Sequence, residues 1–123
     1  MIDFKLSVYK QTIENGLSVS AIRSRYQTTG WRIPTNTEWY NVDNTGGWTN
    51  WNGPWGSGLK MHAAGDLYWG NGSPEYRGSN AYYWGSTQYD AAYGWFLSFY
   101  SGGSYMNGSF KANGFSVRCV RDF

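Results

Sequence analysis

The sequence predicts an α+β fold with more strand and loop than helix. Three observations predict it. One segment carries a set of helix-start signals, several short segments alternate apolar and polar residues with period two, and Gly, Ser and Asn cluster between them. Composition agrees: aromatics are 20% of the 123 residues and Gly contributes 17, and such residues suit strands and turns. Charged residues are only 15%, the reverse of a disordered chain. A single domain of this length buries roughly two-thirds of the surface its unfolded chain exposes, enough for a core without disulfide or metal.

The elements follow in order. In DFKLSVYK, Phe4, Leu6 and Val8 share one face, and in GLSVSAIRSRY Leu17, Val19 and Ala21 do the same. Asn15-Gly16 between them suits a tight turn, so residues 3–26 read as a β-hairpin. Thr35 is a good N-cap, and Glu38 three residues on completes a capping box, which predicts a short helix over residues 35–43. Trp39 and Val42 share its face, and Asn44 and Gly46-Gly47 end it. Residues 43–58 read as a long loop: Trp48, Trp51 and Trp55 have helical spacing, but Gly46, Gly47, Gly53, Pro54 and Gly56 argue against a helix. The remainder reads as short strands. In residues 95–100, Leu97 and Phe99 share one face and Phe96, Ser98 and Tyr100 the other; in residues 115–119, Phe115, Val117 and Cys119 form the apolar face. Alternation of this kind predicts one buried and one exposed face.

Net charge is +2, with the ten Lys and Arg scattered, too little to argue for nucleic acid. No apolar stretch approaches the roughly 20 residues that span a bilayer, so membrane insertion is not expected. The start, MIDFKLSVYK, lacks the apolar core of a signal peptide. A single cysteine, Cys119, excludes an internal disulfide and leaves the compartment undecided.

Catalytic constellations are scarce. One histidine, His62, cannot make a multi-histidine metal site, and it has no carboxylate or cysteine at ligand spacing. Cys119 falls on an apolar strand face and reads as a buried structural thiol. The eight carboxylates show no spacing that forces two onto one face; a pair assembled by tertiary folding stays open. No twelve-residue calcium loop is present. No enzyme, cofactor or metal is expected.

The aromatic surplus is the stronger signal. A core of this size needs about ten large aromatics, and the chain has 8 Trp, 11 Tyr and 6 Phe. Some must reach the surface, where aromatic patches mark binding sites. The stretch from Tyr89 to Asn113 combines Tyr with Ser, Gly and Asn, the composition antibody loops use for rigid contact area and adaptable hydrogen bonds. Binding is the favoured reading there, and packing for Trp48, Trp51 and Trp55.

Several strings are familiar together. Gly30-Trp31-Arg32-Ile33-Pro34-Thr35 with Glu38-Trp39, Gly58-Leu59-Lys60, Ala63-Ala64-Gly65, Arg77-Gly78-Ser79, Tyr83-Trp84-Gly85-Ser86-Thr87 and the ending from Gly114 to Asp122 resemble the Fibrobacter succinogenes major paralogous domain over residues 30–122. That resemblance implies a C-type-lectin-like fold of the formylglycine-generating-enzyme branch. The ending and the Tyr-Trp element also resemble variable proteins of diversity-generating retroelements, including phage receptor-binding proteins. This implies a fixed scaffold of Leu97, Phe99, Gly114, Phe115 and Val117, with variable, exposed Phe96, Ser98, Tyr100, Tyr105, Asn107, Ser109 and Phe110. The Glu-Pro-Asn and Trp-Asn-Asp motifs of calcium-dependent sugar lectins are absent, and the enzyme's paired cysteines are impossible with one Cys. The fold therefore does not bring its activity with it.

The combined expectation is a C-type-lectin-like domain over residues 30–123, with residues 1–29 a β-hairpin of the same domain or an oligomer contact. Function is non-catalytic recognition of a protein or glycan on a cell surface. The ligand-binding residues are Tyr93, Phe96, Ser98, Tyr100, Tyr105, Asn107, Ser109 and Phe110. A phage tail or bacterial surface is the implied location, and a homo-oligomer such as a trimer stays open. The alternative is a calcium-independent carbohydrate-binding module that stacks sugars on Trp48, Trp51 and Trp55.

Overall fold

The structure is a computed structural model that describes residues 30–122. The expected hairpin over residues 3–26 lies outside the described residues. The described residues fall into two compact units, one of residues 35–116 and one that includes 30–34 and 117–122. The architecture is a small α+β fold with antiparallel sheets.

In the larger unit, helix α1 spans Asn36–Gly46. Its start follows from chemistry written in the sequence. The Thr35 hydroxyl accepts from the Glu38 amide at 3.2 Å, and the Glu38 carboxylate accepts from the Thr35 amide at 3.1 Å. Each satisfies a donor that the first helical turn leaves orphaned. Gly47, in the left-handed region at φ 62°, ends the helix, and its N–H donates to Asn44. The helix turns Trp39 and Asp43 inward. The Trp39 indole donates to the Trp84 carbonyl at 3.1 Å, and Asp43 accepts from the Ser104 hydroxyl at 2.6 Å. Both buried polar groups are thereby satisfied.

Asn52–Gly56 form a single helical turn, α2. The loop expected over residues 43–58 is thus corrected at its centre. Ser57 closes the turn by donating its amide to Gly53 at 3.0 Å and its hydroxyl to the Pro54 carbonyl at 2.7 Å. One turn fixes too few residues for the glycines there to forbid it. Those glycines serve packing instead. A Cβ at Gly46 or at Gly53 would come within 2.5 Å of the Trp48 indole, which lies buried against both.

Two short strands follow, β2 (Asp66–Leu67) and β3 (Pro74–Glu75), paired antiparallel. The main sheet is an antiparallel meander of β4 (Asn80–Gln88), β5 (Tyr93–Tyr100) and β6 (Gly103–Phe110) in that order. One face carries Ala81, Tyr83, Leu97, Phe99 and Ser104 and packs against α1. Tyr83 and Phe99 stack there with ring centroids 5.9 Å apart. Gly65 bridges to Ala81, and Ser116 to Tyr83, so irregular chain continues the sheet beyond β4.

The smaller unit pairs β1 (Trp31–Arg32) with β7 (Val120–Arg121), antiparallel. Arg32 makes a bidentate pair with Asp122, 2.9 Å on each oxygen. The strand expected over residues 115–119 is instead extended chain with isolated bridges at Gly114 and Ser116. Cys119 is buried, and burial pushes its thiol pKa up.

Candidate functional site

The second face of the main sheet is the candidate site. Antiparallel pairing sets Tyr82, Ser98 and Tyr105 side by side across β4, β5 and β6, and sets Trp84, Phe96 and Asn107 in the next row. Directly opposite residues share a face, so these six side chains form one array.

The structure divides the expected binding residues. Tyr100 is 37% exposed, Tyr105 41% and Phe110 44%, and Asn107 is exposed as well. Tyr93 and Ser109 are half-buried. Tyr93 and its register partner Phe110 stand on the Leu97 and Phe99 face, so the expected single surface is corrected for these two, because alternation along β5 and β6 sends them to the other side of the sheet. Phe96 and Ser98 are buried, 6% and 0% exposed, so their expected exposure is corrected. The reason is tertiary. The segment after β6 folds back and lays Phe115 over this face, its ring 5.0 Å from Phe96, 5.0 Å from Tyr82 and 4.4 Å from Trp84. Period-two alternation cannot tell a strand with one wet face from one covered by different material on each side. Leu97 and Phe99 do face inward, both fully buried.

The exposed members hold one another by ring contacts. Tyr100 meets Tyr105 edge-on at 6.4 Å, and Phe110 meets Tyr93 edge-on at 4.7 Å and Trp69 at 5.8 Å. Such pairs fix rings that a loop would leave mobile. Trp69 and Phe110, with Ala92, Lys111 and Ala112, line a groove of about 130 Å³.

The other end of the face is acidic. Asp66 and Glu75 are register partners in β2 and β3, so their carboxylates share one side of that ribbon. Tertiary folding therefore makes a carboxylate pair that no sequence spacing required. Burial, and then the Glu75 charge, raise the Asp66 pKa above its ordinary value. One Asp66 carboxylate oxygen is buried without a hydrogen-bond partner, and so is the Ser98 hydroxyl. Tyr76, next to Glu75, holds a left-handed backbone at φ 55°, uncommon for a bulky residue. Its exposed ring meets Tyr82 edge-on at 6.2 Å. Tyr82 is pushed up to about 12, first by burial and then by the charges of Asp66, Tyr105 and Tyr76.

Sequence reasoning missed Tyr76, Tyr82, Asp66 and Glu75. β2 and β3 are two residues each, too short to show a period. The one available signal was Gly65. At φ 70° it leaves no room for a side chain, because an added Cβ would overlap the Glu75 carbonyl oxygen.

The tryptophans separate too. Trp48 is core, whereas Trp51 and the exposed Trp55 line a groove of about 210 Å³ with Asn52, Met61, His62 and Ala63. His62 is exposed, and its carbonyl accepts from the Tyr83 hydroxyl at 3.1 Å. Among the described residues, no three His, Cys, Asp or Glu side chains gather where they could hold a metal ion.

Residues 58–120, just over half of the chain, match the model of a family described as a domain of unknown function, DUF8237. No curated protein and no solved structure matches the chain.

Proposed function

We propose that this chain, which belongs to the DUF8237 family, is a non-catalytic recognition domain of C-type-lectin-like fold. Its contact surface is the tyrosine-rich face over β5 and β6. One observation carries the reading: Tyr100, Tyr105 and Asn107 project into solvent from regular strands whose opposite face is anchored by fully buried Leu97 and Phe99. Rigid aromatics on a fixed frame supply apolar area at low entropic cost. The partner is a protein or glycan on a cell surface, met from a phage tail or a bacterial envelope. A capped helix beside an antiparallel meander supports the lectin-like reading.

Retroelement-driven diversity fits the same surface with a narrower set of positions. Sister chains should vary at Tyr100, Tyr105 and Asn107 and keep Phe96 and Ser98, since the last two are sealed in the core. Variation concentrated at Phe96 and Ser98 would count against it.

The direct test replaces Tyr100, Tyr105 and Asn107 together by Ala and measures binding to immobilised bacterial surface proteins and to a glycan array, beside the melting temperature. Binding should vanish while the melting temperature stays within a few degrees. Unchanged binding would refute the reading.

A second reading is supported by the groove between Trp51 and Trp55. Indole faces beside Asn52 and His62 offer stacking and hydrogen bonds to a sugar ring. On the array, glycan binding lost in Trp55→Ala but kept in the triple variant would favour this reading.

A further inference from the structure

We infer that the outer edge of β6 pairs antiparallel with the same edge of a second copy of this chain, across a two-fold axis at Met106, and so joins two three-stranded meanders into one sheet. The inference stands on the backbone and does not rest on the recognition reading above.

The phase of the hydrogen bonds shows which groups face that edge. The Lys111 amide donates to the Ala92 carbonyl at 3.0 Å, so these two form a bonded pair just beyond the last register pair, Tyr93 with Phe110. Bonded and non-bonded pairs alternate along an antiparallel ladder. Tyr105, Asn107 and Ser109 therefore bond to β5, while Ser104, Met106, Gly108 and Phe110 aim their N–H and C=O groups away from it. Among the described residues, two of these outward groups are taken. The Gly108 amide donates to the Asn107 side chain at 2.8 Å, and the Phe110 carbonyl accepts from the Asn113 amide at 3.0 Å.

Sheets guard such an edge with lysine, proline, a bulge or covering chain. Gly103–Phe110 contains no charged residue and no proline, and it keeps one unbroken register with β5. The other edge of the meander differs: Gly65 and Ser116 bridge to β4, and the β4 ladder is irregular between Trp84 and Gln88. A second copy suits the bare edge because the strand is uncharged, so two-fold pairing sets no like charges opposite each other. The outward groups choose the register. With the Phe110 carbonyl taken, Met106 pairs with the second copy's Met106, and Ser104 with the second copy's Gly108, whose amide leaves Asn107. On the exposed face this register sets Tyr105 beside the second copy's Asn107. Edge pairing alone is a small contact, so the dimer is concentration-dependent.

The test follows the full chain by sedimentation velocity and by amide hydrogen exchange from about 10 μM to about 1 mM. The dimer fraction should rise with concentration. Over the same range the Ser104 and Met106 amides should slow about five-fold or more, while the Tyr105 and Asn107 amides, already bonded to β5, should change little. Met106→Pro removes an N–H that bonds nothing within the chain, a change that edge strands tolerate, and should give a folded monomer. Tyr105→Lys, at a 41% exposed position, places a charge at the seam and should weaken dimerisation about ten-fold; it decides the matter if the proline variant unfolds. A chain still monomeric at about 1 mM would overturn the inference. So would a dimer that persists in the folded Met106→Pro chain or is untouched by Tyr105→Lys, or one that leaves the Ser104 and Met106 amides exchanging as before, since each forms through another surface.

Discussion

Ser98 and Tyr105 sit directly opposite each other on β5 and β6, yet Ser98 is fully buried and Tyr105 is 41% exposed. They share a face and a row. The difference is lateral: β5 is the central strand of the meander, flanked by side chains on both neighbours, while β6 has a strand on one side only among the described residues. The small Ser98 side chain stands between the larger Tyr82 and Tyr105 in its row. Position in the sheet therefore decides what the partner can touch.

The same relationship separates stability from binding. Phe96→Ala removes a ring packed against Tyr82, Trp84 and Phe115 and should cost about 3–5 kcal/mol. Tyr105→Ala should cost within about 1 kcal/mol, as surface changes do. Urea unfolding of the two variants measures both. Equal losses would mean that Tyr105 belongs to the core.

Gly65 controls the acidic end. Its positive φ, and the overlap of any Cβ with the Glu75 carbonyl and, at 2.6 Å, the Arg77 amide nitrogen, leave no tolerable substitution. Gly65→Ala should lose roughly 1–3 kcal/mol through backbone strain and should disturb the amide signals of residues 66–67 and 74–75. Gly58→Ala is the control, since a Cβ there meets nothing. A Gly65→Ala chain as stable as the control would contradict the geometry.

Tyr82 should make stability fall at alkaline pH. Its folded pKa is raised to about 12 against an ordinary 10.0. For a raised pKa, the unfolded chain loses its proton first. The contribution is whole below pH 10 and is lost as pH climbs towards about 12. Phenolate absorbance should show one tyrosine titrating late, and Tyr82→Phe should remove that component and lessen the alkaline loss of stability. A wild-type titration without a late component would refute the assignment.

Much of the larger unit was legible because its signals are local. Thr35 and Glu38 are three residues apart, so the cap that starts α1 can be read directly, and Gly47 stops it where the sequence says. Leu97 and Phe99 fall on the inward face because a strand alternates whatever its neighbours are. The surplus of aromatics also signalled surface tyrosines before any of them had a place.

Local pattern fails where the covering group is distant in sequence. Phe96 is buried under Phe115, which lies nineteen residues farther along the chain, and no periodicity within β5 carries that information. Trp48 and Trp55 look alike in one tryptophan-rich loop, yet the first is clamped between two glycines and the second faces solvent. The Asp66–Glu75 pair needs a turn of six residues, 68–73, to bring its members together. By itself, then, the sequence determined the capped helix, the alternating strands and the excess of aromatic side chains, since each depends on neighbours within a few residues. Only the tertiary structure decided which aromatics meet water and which carboxylates meet each other, because both outcomes depend on segments that are distant in the chain and adjacent in space.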